Sequence, residues 1–277
     1  MEGVSVIIPH HNRPALLKEA IDSVRAQTVE PLEIIVVDDC SRPEVRQELQ
    51  KLSGLATIIS TPGNLGLGGA RNYGVSQAKG RLLAFLDDDD LFLPRRLETG
   101  LRYMEAHPGC DAVGGGFTMV SADRTEYWGE KVTRTVTLGE SFVNTASMVQ
   151  SMLISRDAFW KIGGFDPRLR YLPDYDLGIR LLGAGLRMDF IAEPLFIYHL
   201  GGRDQLTARW RAMLREQLVI IHRHRQLCRR AFGPLGPLKI YARYCLKYGE
   251  IYGGIIGRSI WATGLLLRSV AGPCGSE

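Results

Sequence analysis

Three short apolar runs, Val4–Pro9 (VSVIIP), Glu33–Asp38 (EIIVVD) and Arg81–Leu86 (RLLAFL), alternate with segments of helical period. This alternation limits the fold more than any other feature of the chain. A short run of β-branched and aliphatic residues without polar alternation reads as a strand buried on both faces. Such a strand needs helices above and below it, and the intervening segments supply them. Leu16, Leu17, Ala20, Ile21 and Val24 form one apolar stripe between Pro14 and about Gln27. Glu44–Leu52 is a short amphipathic helix, and Gly66–Ala78 is helical after a Gly-rich start. Ala56–Ser60 and Ala112–Val120 read as further strands and Leu93–Ala106 as a further helix. The spacing predicts βαβ units around a mostly parallel sheet. Residues 121–150 are less regular, with short Thr- and Val-rich strands. Helices are predicted at Asp157–Ile162 and Asp174–Leu182, and strands at Met188–Ala192 and Leu195–Tyr198. Beyond Gln205 the pattern is helical and basic, split into two segments at Gly233-Pro234-Leu235-Gly236-Pro237.

In a sheet of this kind, ligands bind beyond the carboxyl ends of the strands. The first strand ends in Pro9-His10-His11-Asn12-Arg13, the second in Asp38-Asp39-Cys40-Ser41, and the fourth in Asp87-Asp88-Asp89-Asp90. Polar and acidic groups therefore gather at one edge. Four consecutive aspartates repel one another, and each costs free energy to desolvate alone. A divalent cation of the Mg²⁺ or Mn²⁺ type is the simplest compensation; a solvated, helix-capping turn is the alternative. Asp39 suits a hydrogen bond to a nucleobase or ribose, or a turn in which it satisfies local N–H groups. Gly63–Asn72 opens a helix, which suits phosphate binding or a tight turn. It lacks the GKS/T of a Walker motif and does not follow the first strand as a dinucleotide fingerprint would.

Apolar residues at 45% and charged residues at 23% exclude a disordered chain. The five cysteines are scattered without a CxxC pair, so neither a disulfide framework nor a zinc site is expected, and a reducing compartment is. Met1–Ser5 lacks a basic leader region, and no window is long and apolar enough for a membrane span. The net charge of +4 is uneven: residues 1–202 carry 21 Lys/Arg against 26 Asp/Glu, and residues 203–277 carry 13 against 4. A mildly acidic body with a basic C-terminal quarter suggests two units with different jobs.

The strings VSVIIPHHNRPALLKEAIDSVRAQT, EIIVVDDCS, NLGLGGARNYGVSQAKG, RLLAFLDDDDLF and ISRDAFWKIGGFDPRL, followed by DYDLGIRL, occur in that order. Together they resemble the family 2 inverting glycosyltransferases, over roughly residues 3–200. The resemblance implies a GT-A fold, an α/β nucleotide-diphospho-sugar transferase architecture, over residues 1–202, with residues 203–277 as a basic helical extension. It implies a metal-dependent single displacement that moves a sugar from a nucleotide-diphosphate donor, UDP above TDP or GDP, to an acceptor hydroxyl. Pro9, Asp39, Arg71 and Asp87 would serve the nucleotide sugar. Asp87 and Asp89 match the two acids of a DXD motif, with Asp89 holding Mn²⁺ or Mg²⁺ and His199 near it as a ligand or phosphate contact. Asp88 falls at the variable position and receives no role, and Asp90 is structural. Asp174 matches the catalytic base, although Pro173 stands where the family carries Glu; capping of its helix is the bland role for Asp174. Gly164, Phe165 and Asp166 match the acceptor-side turn, or simply cap a helix end.

Two other functions fit parts of the chain. A glycoside hydrolase needs paired carboxylates but no nucleotide site. A non-catalytic nucleotide-sugar or carbohydrate-binding protein would use the same fold. The acceptor would be a glycan, a lipid-linked molecule or a small molecule; no nucleic-acid partner is expected, since the basic tail lacks an interleaved aromatic platform. The expected location is the cytoplasm, either free or attached peripherally at the membrane's cytoplasmic face. Arg209, Arg211, Arg215, Arg223, Arg225, Arg229 and Arg230 crowd one helical segment, and Ile240, Tyr241, Tyr244 and Tyr248 follow on the next. That mixture suits an anionic membrane surface, or helices that pack on the catalytic domain or form a homodimer.

Overall fold

A computed structural model describes residues 3–143, 149–200, 209–252 and 254–272. The chain divides into two compact units, Met1–Val136 with Ala146–Arg203, and Thr137–Thr145 with Asp204–Glu277. The boundary expected at 202/203 lies outside the described residues. Leu138–Val143, inside the expected catalytic stretch, belongs to the second unit.

The first unit opens with β1 (Val4–His10), α1 (Pro14–Arg25), β2 (Glu33–Asp38), α2 (Pro43–Gln50), β3 (Thr57–Ser60), α3 (Gly66–Gln77) and β4 (Leu82–Phe85). It continues with β5 (Leu91–Phe92), α4 (Arg96–Ala106), β6 (Ala112–Val120), β7 (Thr125–Trp128) and β8 (Arg134–Thr135). After α5 (Leu138–Val143), which belongs to the second unit, it resumes with a 3₁₀ turn at Val149–Ser151, β9 (Leu153–Ser155), α6 (Arg156–Lys161), α7 (Pro173–Gly183) and β10 (Met188–His199). The sheet runs β3-β2-β1-β4-β9-β6-β10-β5, with β7 added beside β6 and β8 beside β10. The ladders of β1 with β2 and β4, of β2 with β3, and of β6 with β10 are parallel; the others are antiparallel.

Alternate residues of each strand feed two cores, as the period of a pleated strand requires. Val4, Val6 and Ile8 meet Leu17, Ala20, Ile21 and Val24 of α1 and Leu97 of α4 on one face. Ile7, Ile35 and Val37 meet Ala70 and Val75 of α3 and Leu177 and Leu181 of α7 on the other. Each fully buried aliphatic side chain contributes about 1.5–3 kcal/mol, so burial does much to hold both helical layers to the sheet. Register fixes the edge that carries the site: His10 lies opposite Asp38, and Ile7 opposite Phe85. The acids after β2 and β4 therefore emerge beside the end of β1.

Three differences from the sequence reading have local causes. Leu153–Ser155, read as no strand, inserts antiparallel between β4 and β6; three residues are too few to display a period. The two strands predicted at Met188–Ala192 and Leu195–Tyr198 are one, with register shifts around Pro194 where the ladder loses an N–H donor. In the second unit the two expected helical segments are four: α8 (Trp210–Arg223), α9 (Arg225–Phe232), α10 (Gly236–Tyr252) and α11 (Gly254–Ala271). Ile240, Tyr244 and Tyr248, for which the sequence leaves both a membrane surface and helix packing open, are buried within that unit. The Tyr244 hydroxyl donates to the Phe142 carbonyl at 2.8 Å. Among the described residues, no helix is long and apolar enough to cross a membrane. Cys40, Cys110, Cys228 and Cys245 are free thiols.

Candidate active site

Asp87–Asp90 follow β4 in a turn closed by the Asp90 amide, which donates to the Asp87 carbonyl at 3.1 Å. The four carboxylates look alike in sequence but have different partners in the structure. Asp87 accepts from the Arg71 guanidinium at 2.6 Å and from the Gln150 amide at 2.7 Å. Asp88, the residue without an expected role, is 1% exposed; it pairs with His10 Nδ1 at 2.7 Å and with Arg13 at 2.5 Å. Its task is to tie the acidic turn to the end of β1. The signal for it was present in His10, which ends the neighbouring parallel strand, and in Arg13 just after it. Asp89 accepts from the other arm of Arg13 at 2.6 Å. Asp90 is buried and accepts from the His199 amide at 3.0 Å.

Burial and crowding disfavour charge on this turn. Burial raises the Asp89 carboxyl, with Arg13 opposing and Asp87 and Asp88 reinforcing. Burial and then Asp87 and Asp89 push Asp90 well above the usual carboxylate range. Burial and then Asp90, Asp89 and Asp87 push the Tyr198 hydroxyl up to about 12.

Asp174 lies in the first turn of α7, directly after Pro173. Proline at this position is well tolerated, because the first-turn N–H has no helical partner; the departure from the family pattern thus leaves the helix start intact. Asp174 Oδ1 accepts from Arg71 at 2.8 Å and Oδ2 from the Val149 amide at 3.2 Å. Burial raises its carboxyl and Arg71 pulls it back down.

Arg71, expected at the nucleotide, is 1% exposed and spans Asp87 and Asp174. Its guanidinium lies 5.3 Å from the centre of the Phe165 ring. Phe165 in turn meets Phe85 edge-on at 5.5 Å. Asn72 holds the Phe165 backbone through both its amide and its carbonyl, at 2.9 and 2.8 Å. Gly164 has φ of +66°, and a Cβ there would stand 2.7 Å from Asn72 Oδ1. The turn matched to the acceptor side is therefore a support beneath Arg71. The Phe165 side chain is 1% exposed and sits in the core. Asp166 pairs with Arg168 at 2.9 Å.

Asp39 accepts from the Leu65 and Gly66 amides at 2.7 and 2.8 Å and from the Thr61 hydroxyl at 3.0 Å. Its carboxylate thus already fills the N-terminal end of α3, where the Gly-rich segment offered a phosphate site. Pro9 is buried in β1 opposite Val37. His199 Nδ1 bonds the Asp89 carbonyl at 2.8 Å, which requires the proton on Nδ1 and puts the lone pair of the neutral ring on Nε2.

Among the described residues, no three or more His, Cys, Asp or Glu converge on one point as a metal cage. Asp89 accepts from Arg13 through Oδ2 and has excess negative charge around it, so it is a donor that fits a hard cation. Mg²⁺ and Mn²⁺ commonly take one or two carboxylates and complete their shell with substrate phosphates, and the donor set fits that pattern.

The acids at the carboxyl edge of the parallel strands, with a buried arginine between two of them, define an α/β ligand site at the place such sheets bind ligands. The family model described as glycosyl transferase family 2 matches residues 5–163, and the chain belongs to that family. An uncharacterised glycosyltransferase of Haemophilus influenzae is 35% identical over 190 residues, covering 65% of this chain and 62% of the relative. One of Methanocaldococcus jannaschii is 30% identical over 214 residues, covering 74% and 73%. TarS residues 1–349 from S. aureus, solved with UDP-GlcNAc, superposes with a TM-score of 0.71 at 18% identity, covering 98% of this chain and 82% of that one. The mannosyltransferase PcManGT of Pyrobaculum calidifontis, solved with GDP-Man and Mn²⁺, gives 0.60 at 19%, covering 96% and 80%. These structural likenesses establish the GT-A fold.

Proposed function

We propose that this chain transfers a sugar from a nucleotide-diphosphate donor to an acceptor hydroxyl by a single, inverting displacement. The observation that carries the reading is one buried guanidinium gripping both Asp87, the first DXD acid, and Asp174, the matched base, at 2.6 and 2.8 Å. A donor-side acid and a base held at one place are what a displacement at the anomeric carbon needs. Each oxygen of Asp174 accepts one bond from the protein and keeps acceptor capacity for another. Asp174 takes the proton of the acceptor hydroxyl, and Asp87 orients the ribose or sugar. A cation on Asp89 would supply charge neutralisation at the departing diphosphate. Asp39 stays with the nucleotide through the strand-end loop it organises. UDP is the favoured nucleotide, in keeping with the UDP-GlcNAc complex of TarS, and GDP is the second choice, in keeping with the GDP-Man complex of PcManGT. The putative teichuronic acid biosynthesis glycosyltransferase TuaG of Bacillus subtilis, 28% identical over 215 residues, supports a cell-surface glycan or its lipid-linked precursor as acceptor.

A thermal-shift screen of UDP, TDP and GDP and their sugars, with and without Mn²⁺ or Mg²⁺, tests this reading. The expected result is a metal-dependent rise in melting temperature with one nucleotide, lost in Asp89→Asn because an amide is a poorer ligand for a hard cation. Equal shifts in EDTA, or a normal Mn²⁺ response in Asp89→Asn, would overturn the metal role.

A further inference from the structure

Asp87 and Asp174 are far apart in sequence, yet all four of their carboxylate oxygens are held by one pair of elements. Arg71 takes Oδ1 of each. The 3₁₀ turn Val149–Ser151 takes Oδ2 of each, through the Gln150 side-chain amide on Asp87 and the Val149 backbone amide on Asp174. Two like charges are thereby held together by a clamp with two arms. Both arms are braced from below. Arg71 rests on Phe165. The 149–151 turn is anchored by Arg96, a fully buried guanidinium with no carboxylate partner among the described residues, which donates to the Met152 carbonyl at 2.5 Å and to the Gln150 carbonyl at 3.4 Å while stacked 4.7 Å from Phe92. An unpaired cation kept in the core at this cost points to a demand for a fixed turn.

We propose that Arg71 and Gln150 are positioning residues that set the spacing and orientation of the base carboxylate relative to the donor-side acid, and that neither contacts the nucleotide. This rests on the transferase reading. It reassigns Arg71 from ligand to brace, and it gives Gln150, which carries no motif, a task. Arg71 is 1% exposed, and each of its terminal nitrogens already donates to one of the two acids, so moving it onto a nucleotide would loosen the clamp.

A double-mutant cycle on nucleotide release from the nucleotide sugar that the native chain turns over, drawn from UDP-, TDP- and GDP-sugars with Mn²⁺, tests the clamp. Gln150→Met keeps the side-chain length and removes only the donor. It is expected to lower kcat about ten- to a hundredfold in the native background, and less than about threefold when Asp174 is already Asn, because residues acting as one unit are not additive. Arg71→Lys, which can serve one acid at a time, is expected to behave the same way while the affinity for UDP or GDP alone, measured by calorimetry, changes less than about threefold. Equal losses in both backgrounds would show a general structural effect and overturn the proposal. So would a loss of more than about tenfold in nucleotide affinity in Arg71→Lys, which would return it to the nucleotide. If Arg71→Lys does not fold, the Gln150→Met cycle still decides. A native chain that releases no nucleotide from any of these donors would instead fail the transferase reading itself.

Discussion

Asp174 and Asp39 show how far a residue's environment separates two acids of the same type. Asp174 is 25% exposed at its side chain, with burial raising its carboxyl and Arg71 restraining the rise. A general base works only when ionised, so kcat/KM should fall on the acid side at a pH above the ordinary aspartate range, and rise with pH through that raised value. Asp174→Asn should lower kcat by about 10²–10⁴-fold and leave donor affinity nearly unchanged, as read from steady-state kinetics and calorimetry. A collapse of donor affinity with turnover preserved at saturation would remove Asp174 from the base position. Asp39 has the opposite character: three donors already satisfy it. Asp39→Ala strands the Leu65 and Gly66 amides and should cost about 1–3 kcal/mol of stability in a denaturant melt, in addition to weaker nucleotide binding. An unchanged melt would mean that water replaces the carboxylate at no cost.

At the scale of the element, α3 joins the site to the sheet. Its glycines serve packing as much as turning. A Cβ on Gly74 would stand 2.6 Å from Ile7 Cγ2 and 2.8 Å from Val37 Cγ2, both rigid β-branched side chains of the core. Gly74→Ala should therefore destabilise by about 1–3 kcal/mol through overpacking, despite the better helix propensity of alanine. A rise in melting temperature would show that α3 has room to lift off β1 and β2. The same close approach is what brings Arg71, three residues earlier, down among the acids.

At the scale of the whole molecule, the second unit is held by its own core. Phe142 is fully buried, lies 6.3 Å from the Phe232 ring and accepts from Tyr244. A Cβ on Gly264 of α11 would meet the Leu246 amide of α10 at 2.9 Å, so these helices pack backbone to backbone. Leu138–Val143 is part of this core although it precedes the last strands of the first unit. A chain ending at Gly202 would leave Phe142 without the aromatic partners that bury it, a loss of about 1.5–3 kcal/mol for that side chain alone. Its melting temperature should fall by about 5 °C or more, or the chain should become insoluble. An unchanged melting temperature would show that α5 needs none of α9 or α10. The outward residues of α11, Leu265, Leu266 and Val270, are 41%, 67% and 65% exposed and stand beside Arg268.

By itself, the sequence determined the parallel strands, the helices between them and the edge at which the acids collect. Each of those follows from local period: VSVIIP, EIIVVD and RLLAFL admit one environment, and parallel strands must release their ends on one side. The order of motifs likewise singled out Asp87, Asp89 and Asp174. Only the tertiary structure decided which carboxylate met which cation. Four adjacent aspartates have the same local pattern, and their partners Arg71, Gln150, His10 and Arg13 arrive from other elements, at distances set by packing. Leu153–Ser155 was too short to show a period, and Gln150 has no motif at all. Phe165, flanked by Gly164 and Asp166, read as part of a turn; its burial goes with the bonds to Asn72, which draws that turn onto α3. Local pattern reports how much of a segment is buried, whereas the partner of a buried charge is chosen by what the rest of the fold places within about 3 Å of it.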